Sequence, residues 1–269
     1  MDFARRYRVR PGSCVELSGA NADDMAGYSK DHKTERQLKQ VLSRLDEIQR
    51  LLYAEKKHAL LIVLQGLDTS GKDGTIRHVM SGVSPEGCQV SAFKAPTEEE
   101  RAHDFLWRVH KAAPRLGDIG IFNRSHYEDV LVVRVHNLVP KDVWSRRYDE
   151  INQFEKFLTE NGTVILKFYL HISKKEQKKR LESRIHDASK NWKLSADDFK
   201  ERTYWNQYQA AYEDALAKCS TERCPWFIIP ANHKWFRNLA VSQIVLKTLE
   251  SLNMKYPLPA GNIEKLRLK

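Results

Sequence analysis

No stretch of this 269-residue chain approaches the roughly 20 consecutive apolar residues that a membrane helix requires. Its opening, MDFARRYRVRPGS, is basic but lacks the apolar core of a secretion signal. Cysteine is scarce, with only Cys14, Cys88, Cys219 and Cys224. The last two alone are close in sequence, and no second Cys or His pair completes a zinc set. Reduced thiols in a cytoplasmic protein are therefore expected, with no membrane partner. No internal repeat or low-complexity tract is present, which sets aside solenoids and disordered linkers. No Ser-His-Asp or Cys-His constellation suggests a covalent hydrolase. Neither a recognition-helix nor an aromatic-sheet motif is found, so a nucleic-acid-binding module is disfavoured and no nucleic-acid partner is expected.

Positive charge is plentiful. Lys and Arg number 45 against 35 Asp and Glu, a formal net charge of +10. Such an excess favours an acidic partner, including a polyanionic substrate. It is not confined to one tail, since Lys174 to Arg202 holds ten Lys or Arg against six Asp or Glu. A solvated helical face would account for that run equally well. Hydrophobic residues at 41% and charged residues at 30% describe a soluble globular chain of one large α/β domain or two small ones.

Hydrophobic spacing predicts the elements. Residues 1 to about 30 read as irregular. Leu38, Val41, Leu42, Leu45, Ile48 and Leu52 mark one face of a helix from His32 to Lys57, which covers either the sheet or a second subunit. Ala59 to Leu64 is a continuous apolar run, as in strands buried on both faces. Further strand-like segments are Cys88 to Phe93, Ile119 to Phe122, Val164 to Ile172 and Trp226 to Ile229. Helical patterns separate them: Thr75 to Met80, Glu98 to Ala113, Trp144 to Leu158 and Trp235 to Leu252. The alternation argues for a parallel sheet covered on both sides, with extra helix inserted at Lys174 to Lys218. The tail KYPLPAGNIEKLRLK reads as extended.

The chemistry concentrates in LIVLQGLDTSGKDGTIRHV. Gly66 to Lys72 fits G-x-x-x-x-G-K in the required context of buried strand, loop and helix. Gly66, Gly71 and Gly74 let the backbone wrap phosphate oxygens, with Ser70 and Thr75 beside them, and Lys72 supplies a mobile charge. Two acids, Asp68 and Asp73, sit in a loop built for anions. A cation between carboxylate and phosphate resolves the conflict, and magnesium (Mg2+) prefers such oxygen ligands. The neighbouring strand ends in Asn123, a neutral amide where an acid is usual. Asp68 is thus the expected metal ligand. Asp73 is either a second ligand or a cap of the following helix. After Asn123 come Arg124, His126, Glu128 and Asp129, then Arg134, at the strand end where doubly wound sheets place ligands. Arg124 and Arg134 are candidate phosphate clamps. Glu128 and Asp129 are candidates for a second metal or a nucleotide sugar, and His126 for a packed, hydrogen-bonding role.

With these residues in hand, the sequence resembles the polyphosphate kinase 2 family, most closely its class III branch, which phosphorylates both AMP and ADP. The resemblance is carried by GLDTSGKDGTIRHVMSGV, FKAPTEEERAHDFLWRVH, GIFNRSHYEDVLVVRVH, SKNWKLSADDFKERTYWNQYQAAYEDAL and PWFIIPANHKWFRN. It implies a three-layer P-loop kinase fold like that of thymidylate kinase, a five-stranded parallel sheet flanked by helices with a helical lid. The implied organisation is a single domain. Residues 1–57 form an N-terminal extension and amphipathic helix, 58–173 the P-loop core, 174–218 the lid, and 219–269 the core completion and tail. It implies magnesium-dependent transfer of a terminal phosphoryl group between inorganic polyphosphate and adenine nucleotides, with guanine nucleotides as further candidates and a homo-oligomer as the assembly. Asp68, Lys72, Arg124 and Arg134 would then be catalytic. Asn123, Glu128 and Asp129 would serve nucleotide choice, and Arg180, Arg184 and Lys193 would grip polyphosphate from the lid. Arg180 and Arg184 are four apart, so both can point from one helix face.

Overall fold

The structure is a computed structural model that describes residues 1–189, 191–193 and 196–259, with the backbone only at 193 and 196–198. Five strands, β1 (Ala59–Gln65), β2 (Cys88–Ala92), β3 (Ile119–Asn123), β4 (Thr163–His171) and β5 (Trp226–Pro230), form one sheet in the order β2-β3-β1-β4-β5. Every pairing is parallel, with Leu61 opposite Gly120 on one side and Ile165 on the other. The helices are α1 (Phe3–Tyr7), α2 (His32–Glu55), α3 (Lys72–Val79), α4 (Glu98–Arg101), α5 (Trp107–Lys111), α6 (Val132–Val135), α7 (Lys141–Glu160), α8 (Lys174–Ile185), α9 (Ala196–Glu201), α10 (Trp205–Cys219) and α11 (Lys234–Ser251). None of the described helices is long and apolar enough to cross a membrane.

The uninterrupted apolar run of β1 is explained by its central place. Successive side chains point to opposite faces of a strand. Leu60, Ile62 and Leu64 therefore enter a core shared with α2 and α11, while Leu61 and Val63 enter a second core shared with α7 and α10. Helix, sheet and helix make three layers. Asp31 caps α2 through Thr34 N–H at 2.8 Å, and Val41, Leu45, Ile48 and Leu52 are its buried stripe. That stripe packs within the chain, in the core that also holds Leu239, Ile244 and Leu249 of α11.

Three expectations change. The N-terminal segment is not wholly irregular: Asp2 caps α1, whose Phe3 and Tyr7 are buried, and Val9 N–H donates to Trp226 O at 2.8 Å. A five-residue helix is too short to leave a periodic signal. The pattern from Glu98 to Ala113 divides into α4 and α5, because Asp104 Oδ1 accepts from Leu106 N–H at 3.0 Å and turns the chain there. Within the segment 174–218, α10 buries Ala211, Tyr212, Ala215 and Leu216 in the core beside Leu61 and Val63. Only what precedes α10 is free to act as a cover. All four cysteines are unpaired thiols.

Candidate functional site

The loop after β1 can be made only with glycine at its ends. Gly66 has φ of 149°, and a Cβ there would stand 2.8 Å from both Leu170 O and Ser70 Oγ. Gly71, at φ of 102°, is the N-cap of α3. Thr69 and Arg124 both have φ of 63°, left-handed conformations that cost a side-chain-bearing residue free energy and cluster at functional sites. Lys72 turns back over the loop, and its Nζ donates to Gly66 O at 2.6 Å and Leu67 O at 3.5 Å. Burial, assisted by the Arg124 charge, pushes the Lys72 ammonium down to about 8. Ser70 and Thr75 are buried behind the loop, Thr75 Oγ1 donating to Gly71 O at 3.1 Å.

Across from the loop, the end of β3 supplies the other wall. Arg124 N–H donates to Leu64 O at 3.1 Å, which ties the arginine to β1. Its guanidinium donates to Asp68 Oδ1 at 2.9 Å and to Glu128 Oε2 at 3.4 Å. Glu128, against burial and with Asp68, raises the Arg124 guanidinium above its ordinary value, so its charge is secure. Asn123 Nδ2 donates to Asp73 Oδ1 at 2.9 Å. The amide at position 123 thus accommodates the loop carboxylate that an aspartate there would repel. The N-cap of α3 is Gly71, and Asp73 stands in the first turn of that helix. Arg147 holds Asp129 at 3.0 Å, yet burial still pushes that carboxyl up to about 6.

These residues line one cleft of about 1300 Å3. Asp68, Gly71, Lys72, Asp73, Gly74, Asn123, Arg124, Glu128, Asp129, Arg180 and Arg184, all picked from the sequence, border it. Among the described residues, eleven Lys or Arg side chains line it against five Asp or Glu, a surplus suited to a polyanion. Phe93, Phe105, Val132, Val133 and Leu138 add an apolar portion. Arg134 is not among the lining residues. Its guanidinium pairs with Asp214 at 2.5 Å, donates to Tyr148 Oη at 3.2 Å and stacks over Trp144, so it braces α6 against α7 and α10. Arg180 borders the cleft, but its donors are committed. Nη1 donates to Thr69 O at 2.9 Å and Ser70 O at 3.2 Å, and Nη2 to Ala231 O at 2.6 Å and Asn232 O at 2.8 Å. It fastens the phosphate loop to the loop after β5. The Lys193 side chain lies outside the described residues. Sequence reasoning passed over Arg108, Arg147 and Arg237. Arg237 lies in the quoted stretch PWFIIPANHKWFRN, just past the C-terminal end of β5, and the strand-end rule used for β1 and β3 could have found it.

A family model described as polyphosphate kinase 2 (PPK2) matches residues 28–257. The chain belongs to the polyphosphate kinase 2 family. It is 50% identical over 263 residues to an AMP/ADP-polyphosphate phosphotransferase of Meiothermus ruber, covering 97% of this chain and 98% of the relative. It is 46% identical over 280 residues to an ADP-polyphosphate phosphotransferase of Rhodopseudomonas palustris, covering 98% and 96%. A crystal structure of polyphosphate kinase 2 from Arthrobacter aurescens TC1 superposes with a TM-score of 0.94 at 44% identity, over 98% of this chain and 94% of that one. The protein is therefore a phosphotransferase of the kinase type, and the expectation of a five-stranded parallel P-loop fold is met.

Proposed function

We propose that the protein moves the terminal phosphoryl group of inorganic polyphosphate to AMP and to ADP, giving ADP and ATP, and runs the same step in reverse. The observation that carries this reading is the cleft itself: a phosphate loop whose lining holds a surplus of cations beside an apolar portion. The name of the M. ruber relative supports the same pairing of substrates, and that of the R. palustris relative supports the ADP step. A nucleotide phosphate oxygen attacks the terminal phosphorus, a P–O bond to it forms, and the P–O bond to the shortened polyphosphate breaks. Such a loose transition state asks the protein mainly for positioning and charge. Lys72 and Arg124 supply both, and Glu128 with Asp129 faces the nucleotide.

Magnesium fits this site. Two loop carboxylates, Asp68 and Asp73, border the cleft, and Mg2+ characteristically takes one or two carboxylates with substrate phosphates and water rather than a full protein cage. When bound, the ion would neutralise charge on the bridging phosphate oxygens. Asp68→Asn is expected to cut turnover strongly and to flatten the dependence of rate on magnesium concentration, while Asp73→Asn does less. Rates across a magnesium titration check this, and the reverse ranking would move the metal to Asp73.

The decisive assay offers AMP, ADP, GMP and GDP with either polyphosphate or ATP in the presence of magnesium. Formation of ADP from AMP with polyphosphate is expected. ADP formed from AMP with ATP alone would make the protein an ordinary nucleotide kinase. A pH dependence follows from Lys72. Its folded value lies below that of a free lysine, so the charged form predominates below about 8 and is progressively lost above it. A polyanion selects the charged form. kcat/KM for polyphosphate is therefore expected to fall as pH rises through about 8. A flat profile from pH 7 to about 9.5 would contradict a depressed lysine at the loop.

A further inference from the structure

Arg237 is an arginine in an unfavourable place. It lies in the first turn of α11, is 2% exposed, and borders the cleft. Cations at a helix N-terminus oppose the helix dipole. No carboxylate lies within ion-pair distance of it among the described residues. Burial, and then the Arg180 charge, push its guanidinium below the usual arginine range. A buried charge without a counter-charge is among the costliest arrangements a fold can keep.

The loop is nevertheless shaped to keep it. A Cβ on Gly71 would stand 1.8 Å from Arg237 Nη1, and one on Gly74 would stand 3.3 Å from Nη2. Two loop glycines thus leave room for this guanidinium as well as for phosphate. Nη1 donates to Ser70 O at 3.2 Å, while Nε and Nη2 both donate to Asn238 Oδ1, at 3.1 and 2.8 Å. Those three bonds leave two of the five guanidinium N–H groups over, and the anchored edge fixes where they point. An arginine fork held at one edge, over a phosphate loop and short of negative charge, is complementary to a phosphate group.

We propose that Arg237 is a phosphate-binding residue of the polyphosphate subsite, gripping the chain together with Lys72 at the phosphate loop. This rests on polyphosphate being the substrate, as proposed above. The counter-charge that the folded protein does not give Arg237 comes from the substrate. The competing role is a strut that only holds the loop through the Ser70 carbonyl.

Arg237→Gln separates the two roles. Steady-state rates give KM for polyphosphate at saturating AMP, and KM for AMP at saturating polyphosphate. Thermal unfolding is followed with and without inorganic tripolyphosphate, no nucleotide being present. The expected result is an increase of about tenfold or more in the polyphosphate KM, as for loss of a charge-assisted hydrogen bond. The AMP KM should stay within about twofold, the size of an indirect effect. The variant alone should unfold at or above the wild-type temperature, because an uncompensated buried charge is gone, and should lose most of the tripolyphosphate-induced shift. A lowered melting temperature with an unchanged polyphosphate KM would make Arg237 a strut and overturn the proposal. If the Gln variant does not fold, Arg237→Lys carries the test. It keeps the charge and loses the fork, so a raised polyphosphate KM at constant AMP KM supports the proposal and an unchanged one overturns it. A wild type that neither uses polyphosphate nor is stabilised by tripolyphosphate would instead overturn the substrate assignment, which keeps the two failures apart.

Discussion

Lys72→Ala should lose at least about two orders of magnitude in turnover, the usual cost of removing one preorganised group that meets charge developing in the transition state. The ammonium is held 2.6 Å from Gly66 O, at the mouth of the loop where the transferring group must lie. It has no carboxylate within ion-pair distance among the described residues, so its charge is available to substrate. A cation parked on carbonyl oxygens can exchange them for phosphate oxygens without breaking an ion pair. For the same reason the substitution should not unfold the protein. It removes a buried ammonium and leaves the Gly66 and Leu67 carbonyls short of a donor, a change worth about 1 to 3 kcal/mol. Turnover and melting temperature measured on one preparation check both halves. Near wild-type turnover with polyphosphate would end the assignment of this loop as the phosphate site. The variant should also lose the fall in kcat/KM above pH of about 8, since the group responsible for it is gone.

How far the sequence could be read depended on whether a residue's role follows from its neighbours in the chain. The strands could be read because a strand buried on both faces needs an unbroken apolar run, and Ala59 to Leu64 has one. The phosphate loop could be read because its glycines and lysine act within seven residues. Partners chosen by the fold could not. Arg180 and Arg184 are equivalent on a helical wheel, but Arg180 reaches Thr69 and Ala231 carbonyls while Arg184 borders the cleft. Arg134 followed an obvious motif, yet its acid, Asp214, comes from a helix 80 residues away. Arg237 and Ser70 are 167 residues apart. A basic residue in the sequence has the same pattern whether it solvates a helix, braces a layer or grips an anion. Lys167 shows this most clearly, because the apolar run from Val164 to Ile172 passes over it.

Lys167→Met is expected to give a large loss of stability. Lys167 is fully buried in the centre of the sheet, paired in register with Val63 on β1 and Trp226 on β5. Its three donors are all used: Glu155 Oε2 at 2.5 Å, Cys219 O at 2.6 Å and Tyr127 Oη at 2.9 Å. Glu155 Oε1 in turn accepts from Tyr127 Oη at 2.8 Å and lies 3.2 Å from His126 Nε2. One ammonium thereby joins β4, α7, the end of α10 and the turn that opens at His126 and carries Glu128 and Asp129. Burial raises the Glu155 carboxyl, and Lys167 with His126 more than offsets it, leaving the group below its ordinary value. Without Lys167 the carboxylate is buried and uncompensated, a defect of about 3 to 5 kcal/mol. At about 2 to 4 °C per kcal/mol for a chain of this size, the melting temperature should fall by about 10 °C at pH 7. The sign of the pH effect follows. A carboxyl held below its unfolded value stabilises the wild type above that value, and the contribution is lost as pH falls. In the variant burial is opposed by His126 without Lys167, so Glu155 takes up its proton more readily and acid relieves the defect. The gap between wild type and variant should therefore narrow as pH is lowered. Replacing both partners, Lys167→Met with Glu155→Leu, should recover most of the loss, because neither charge is then left alone. Because the same network seats the turn bearing Glu128 and Asp129, the single variant should also raise the nucleotide KM more than the polyphosphate KM. Thermal unfolding of the single and double variants at two pH values tests this account. A single variant melting within about 2 °C of wild type at pH 7 would mean that the buried ion pair contributes nothing net.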